Sequence, residues 1–225
     1  QHGAMEYTTP PCDLDEVRNY RLSRIQEELV RQDLAGIILY DQLNTRYATD
    51  ATNMQIWCSH NEARYVYVPA NSGALIFEYG GKSLLSEGLP GIDRTVKPTT
   101  FFYMVAGQHV LERAKHWAVE MDVIIREHSG GNRRIAIDRL APVGIQEMEA
   151  LGYEMHDGFT VMEKAREIKS VGEIALMRKS IEVCEQAIQQ MREAMKPGIT
   201  ENALWAELHH GNIAGGGEWI ETRLL

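Results

Sequence analysis

The sequence predicts an α/β fold, a mixed sheet flanked by helices, followed by a shorter region that is almost wholly helical. Three observations predict it. Short apolar runs rich in β-branched residues, at 36–40, 64–69, 74–79 and 134–137, alternate with stretches of helical periodicity. The turn Asn71-Ser72-Gly73 joins two of those runs as a hairpin. Beyond Thr160 the apolar residues recur at helical spacing.

Taken in order, residues 13–31 form an amphipathic helix, with Leu14, Val17, Ile25 and Leu29 on one face and Asp13 as its cap. Residues 36–40 are a buried strand and 41–44 the turn after it. The hairpin follows, then another short strand at 83–85 after Gly80-Gly81, then a Gly-, Pro- and Thr-rich loop over 88–100. Val110, Ala114, Trp117 and Met121 mark a helix over 108–128 that ends at Gly130-Gly131-Asn132. A strand at 134–137, a proline-opened helix at 142–151 and a strand at 153–156 complete the alternation. Ser170 and Glu173 form a capping box for the next helix, whose apolar stripe runs through Ile174, Met177 and Ile181. Pro197-Gly198 breaks it, and Thr200 caps a last helix that ends at Gly215-Gly216-Gly217. We place a domain boundary near Lys169, giving domains 6–168 and 169–225; residues 1–5 read as a vector remnant.

Composition narrows the function classes. The net charge of -9 argues against nucleic-acid binding, which needs clustered Lys and Arg. No apolar stretch approaches the ~18 residues of a membrane span, and no signal peptide opens the chain. Cys12, Cys58 and Cys184 are far apart and form no CxxC pair, which points to a reducing compartment, the cytoplasm.

Several motifs carry a family resemblance. Arg166-Glu167-Ile168-Lys169-Ser170, Glu173-Ile174, Met177-Arg178 and Lys196-Pro197-Gly198-Ile199-Thr200-Glu201 stand in the order in which the creatinase, prolidase and aminopeptidase-P family opens its pita-bread catalytic domain. The region before them resembles that family's N-terminal domain at Leu43-Asn44-Thr45-Arg46-Tyr47. Residues 52–61 and 216–223 resemble a bacterial subgroup that holds Xaa-Pro peptidases and dimethylsulfoniopropionate lyase. The resemblance implies a homodimer and two divalent metals (Mn, Fe, Co or Zn) in a full-length parent, held by carboxylates and an imidazole. It also places those ligands beyond Leu225. The single Asp-x-Asp here, Asp13 with Asp15, reads as a helix cap and first-turn acid. The expectation is therefore a truncated pita-bread domain, with no metal site and no catalytic residue in this chain.

By the same resemblance, the N-terminal domain covers a partner subunit's pocket. Trp57, His60 and Arg64, with Tyr47, are the substrate-capping candidates: Arg can clamp a carboxylate and Trp can wall a cationic or apolar group. The alternative is that Trp57 packs in a core while His60 and Arg64 hydrogen-bond a loop. Trp219 and Arg223 are pocket-lining candidates, or strand residues that only pack. Adjacent helical His209 and His210 point about 100° apart, which disfavours one shared metal. Gly215 to Gly217 lacks the Lys-Ser/Thr of a phosphate loop, and Cys58 with His60 lacks a third partner for nucleophilic catalysis.

The expected function is the capping and dimerisation portion of a dinuclear metal-dependent Xaa-Pro peptidase acting on small peptides, inactive alone. The alternatives are a C–S lyase acting on the zwitterion dimethylsulfoniopropionate, and a non-catalytic assembly domain.

Overall fold

A computed structural model describes residues 10–80 and 82–218. The helices are α1 (Leu14–Arg31), α2 (Gln42–Thr49), α3 (Gln55–His60), α4 (Tyr103–Ala106), α5 (Val110–Ser129), α6 (Pro142–Ala150), α7 (Gly158–Arg166), α8 (Val171–Ala194) and α9 (Glu201–Ala214). The strands are β1 (Gly36–Leu39), β2 (Tyr65–Pro69), β3 (Ala74–Phe77), β4 (Ile92–Val96), β5 (Arg134–Ile137) and β6 (Glu154–Asp157). The chain divides into two compact units, one spanning Asp15–Ile168 and the other containing the helices after Lys169.

The first unit is built on a six-stranded sheet of order β4-β3-β2-β1-β5-β6. β1, β2 and β3 are antiparallel neighbours, whereas β4, β5 and β6 add in parallel at the two sides. Successive side chains of a strand face opposite ways. Ile37, Leu39, Val66, Val68 and Ile76 therefore pack with Ile25 and Leu29 of α1 and Val161 and Met162 of α7. Ile38, Tyr65, Tyr67, Leu75 and Phe77 pack on the other face, with Trp117, Met121 and Ile125 of α5. Both faces are covered, which is why these strands read as unbroken apolar runs rather than as alternating ones.

Three local expectations are corrected. Residues 41–44 do not form a plain turn: Asp41 accepts hydrogen bonds from the Leu43 and Asn44 amides and opens α2. Residues 83–85 lie in a 3-10 turn, Lys82–Leu85, and not in a strand. The strand at that side is β4, inside the stretch read as loop. It lies at the sheet edge with Asp93, Arg94 and Thr95 exposed, so no apolar pattern announces it.

In the second unit Ser170 and Glu173 complete a capping box at the start of α8, and the Thr200 side chain accepts from the Ala203 amide at the start of α9. The two helices lie against each other closely enough that a Cβ on Gly211 would come within 2.7 Å of the Ala187 Cβ. The strand expected after Gly217, with Trp219 and Arg223, lies outside the described residues. Among the described residues no helix is long and apolar enough to cross a membrane.

Candidate functional site

The β2–β3 hairpin creates the most unusual chemistry in the first unit. Its register pairs Tyr65 with Phe77. One step further out, Arg64 meets Glu78 across the hairpin, with Arg64 Nε donating to Glu78 Oε1 at 2.6 Å. Both side chains are buried, at 1% and 0% exposure. Burying two charges is tolerable only when their remaining polar atoms find partners. Here Arg64 Nη1 donates to Gln42 Oε1 at 3.1 Å, Gln42 Nε2 donates to the Tyr40 carbonyl at 3.0 Å, and Asn53 Nδ2 donates to Glu78 Oε2 at 3.1 Å. Arg64 Nη2 is buried without a hydrogen-bond partner.

α3 begins two residues after Asn53, a member of this network. Its N-cap, Met54, has φ of 43°, a left-handed conformation disfavoured for a side chain of that size. The Tyr79 hydroxyl donates to Met54 Sδ at 3.1 Å, and the Cys58 thiol donates to the Asn53 carbonyl at 3.4 Å. Burial pushes both the Cys58 thiol and the Tyr79 hydroxyl up, the latter to about 12, so neither ionises near neutrality. A buried thiol of that kind is not an activated nucleophile.

The sequence candidates separate within this frame. Trp57 is half-buried on α3, its ring 5.4 Å from that of Tyr79 and edge-on to Phe102 at 6.3 Å. His60 is exposed at the end of the same helix. Arg64 is engaged by Glu78 and Gln42, and with 1% exposure it has no open face for a ligand. Tyr47 is buried on α2 and donates to the Ala165 carbonyl at 3.3 Å, while the Arg21 guanidinium lies 5.2 Å from its ring centre. Trp57 therefore has Tyr79 and Phe102 as its aromatic companions rather than Tyr47. Trp219 and Arg223 lie outside the described residues. His209 stacks edge-on with Trp205, at 4.6 Å.

Sequence reasoning missed Glu78, Asn53, Gln42 and Tyr79. One signal was available: a Glu after one hairpin strand and an Arg before the other fall opposite each other once the turn fixes the register.

A second buried carboxylate lies where β1 and β5 end side by side. Asp138 accepts from the Tyr40 amide at 2.7 Å, the Asp41 amide at 3.2 Å and Asn44 Nδ2 at 2.9 Å. Burial outweighs those donors and pushes its carboxyl up to about 6. Glu62 is also raised by burial, although Arg139 opposes the shift. These acids do not form a metal cage: among the described residues no group of three or more His, Cys, Asp or Glu is placed to hold an ion. The described donors do not fit a dinuclear centre.

A mixed sheet covered on both faces, followed by a helical unit that opens with a capping box, is the α/β arrangement expected from the sequence motifs. The comparisons support a likeness to the creatinase/prolidase-like pita-bread group. It is 39% identical over 218 residues to the dimethylsulfoniopropionate lyase DddP of Roseovarius nubinhibens, a match covering 95% of this chain and 49% of that protein. The DddP of Roseobacter denitrificans is 38% identical over the same shares. The chain thus spans about half the length of the curated relatives it matches. Among solved structures, an Xaa-Pro dipeptidase from Bacillus anthracis superposes with a TM-score of 0.60 at 16% identity, over 88% of this chain and 49% of that one. An X-Pro aminopeptidase from Thermotoga maritima superposes with a TM-score of 0.61 at 13% identity, over 87% and 49%. These likenesses show a shared fold. No protein-family profile matches the chain.

Proposed function

We propose that this chain is the substrate-capping and assembly portion of a C–S lyase acting on dimethylsulfoniopropionate. The observation that carries the reading is the 39% identity to a dimethylsulfoniopropionate lyase across 95% of the chain. That extent favours the lyase over the Xaa-Pro peptidase expected from the motifs, since the peptidases share the fold at 13–16% identity.

The site supplies a physical rationale. A sulfonium carries its charge on a soft, weakly hydrated centre, and an aromatic face attracts such a cation. Trp57, set against Tyr79 and Phe102, offers a half-open aromatic wall of that kind. His60, exposed on the same helix, is the residue we assign to the carboxylate end of the zwitterion. Met54, Ile56, Tyr103 and Met104 are exposed apolar residues on α3, its N-cap and α4, and support a role in covering a pocket of a second copy. Two divalent metals would belong to the remainder of a longer protein. The unpaired Cys12, Cys58 and Cys184 suit the cytoplasm.

The test is an assay of the product of the whole reading frame containing this chain, replete with divalent metal. Release of dimethyl sulfide, with Trp57→Ala raising KM at least about tenfold, supports the reading. Cleavage of Xaa-Pro dipeptides without dimethyl sulfide release would replace it with the peptidase.

A further inference from the structure

We propose that Glu78, with Arg64 and Asn53, is a positioning device that holds the α3 segment, and through it Trp57, in register over the sheet without touching ligand. The inference rests on the capping reading above.

The segment that carries Trp57 has few other means of staying in place. α3 is only six residues long, and a helix of that length is not stable by its own hydrogen bonds. Its N-cap is the left-handed Met54, and no side chain caps the helix there. A strained non-glycine residue persists only where its surroundings over-determine it. Those surroundings are specific. On one side of Met54, Asn53 donates to Glu78 Oε2, and its carbonyl accepts from Cys58. On Met54 itself, the sulfur accepts from Tyr79, the residue after Glu78. The end of β3 therefore grips the start of α3 through two consecutive residues.

Glu78 can act as an anchor because it is itself fixed. Arg64, the cross-strand neighbour, holds Oε1 and leaves Oε2 for Asn53. Gln42 holds Arg64 in turn and ties the network to the start of α2. A neutral pair would hold the loop less firmly, because hydrogen bonds to an ionised acceptor are roughly twice as strong as neutral ones. The burial of both charges excludes the water that would otherwise compete for Asn53. Trp57 lies at the far end of this chain of contacts, its ring against Tyr79. Loss of the Asn53–Glu78 bond should therefore move Trp57 while leaving the sheet core in place.

The experiment uses the whole chain labelled with 5-fluorotryptophan, with the Trp57 resonance assigned by Trp57→Phe. Asn53→Ala removes only the tether and keeps the ion pair; Glu78→Gln removes the anchor's charge. The expected result is that the Trp57 resonance shifts by more than its linewidth or broadens in both variants, while those of Trp117 and Trp205 hold. Exchange of the Cys58 and Asn61 amides should quicken at least about tenfold relative to those of Ile37 and Ile38. An unmoved Trp57 resonance would overturn the proposal, as would a collective shift of the Trp57, Trp117 and Trp205 resonances, which would make the network a support of the fold as a whole. Asn53→Ala decides the matter if Glu78→Gln does not fold. No substrate enters this measurement, so a held segment that caps nothing gives the expected fluorine spectrum together with a Trp57→Ala variant of unchanged KM.

Discussion

Removing one partner of the Arg64–Glu78 pair would leave a charge buried and uncompensated, at a cost of about 3–5 kcal/mol. Replacing both by apolar residues of similar size should cost much less than the sum of the two single changes. A double-mutant cycle of Arg64→Met and Glu78→Leu by denaturant unfolding measures this; simple additivity would mean that the pair is not coupled. Asp138 gives a second prediction at this scale. Its folded carboxyl titrates near 6, above its ordinary value of 3.8, so the folded state holds the proton more tightly than the unfolded one. The associated stability is fully present below about pH 4 and is lost as pH rises through 6, to the extent of about 3 kcal/mol. Against Asp138→Asn, which cannot titrate, the native chain should lose stability between pH 4 and 7; parallel pH profiles would contradict the shift. Neither residue could be assigned from sequence as a buried acid. Asp138 follows a short strand like any turn residue, and only the parallel pairing of β1 with β5 brings the Tyr40 and Asp41 amides onto it.

Among the elements, those with a strong local signal were legible. The α8 start was visible because Ser170 and Glu173 have the spacing of a capping box, and the hairpin because Asn71-Ser72-Gly73 separates two β-branched runs. The elements that escaped are held by contacts distant in sequence. β4 shows no apolar alternation because it is an exposed edge, and Asn53 and Met54, which lead into the six residues of α3, are hydrogen-bonded to Glu78 and Tyr79 from the next hairpin. Two predictions belong here. Ser170→Ala should cost about 1 kcal/mol and quicken exchange of the first-turn amides of α8, where an unchanged Glu173 amide would count against the cap. Gly211→Leu should force α8 and α9 apart at Ala187 and cost about 1–3 kcal/mol, read as a drop in helicity and unfolding midpoint.

For the molecule as a whole, the α/β class and the family could be read from motif order, whereas the chemistry of the candidate site could not. The sequence offers Arg64 as a carboxylate clamp or as a residue that hydrogen-bonds a loop, because an Arg beside a polar segment looks the same in sequence whether it faces a ligand or a buried Glu. The structure turns it inward and leaves, on α3, a half-buried Trp57 and an exposed His60. Under the proposed function the labour is divided: these residues would shape and close a pocket, and bond breaking would belong to other parts of a longer protein. The most direct test is to measure dimethyl sulfide release by the whole reading-frame product and by this chain alone, side by side with added divalent metal. The account predicts metal-dependent release by the former and none by the latter. Turnover by this chain alone, or dipeptide cleavage without dimethyl sulfide from the longer protein, would contradict it.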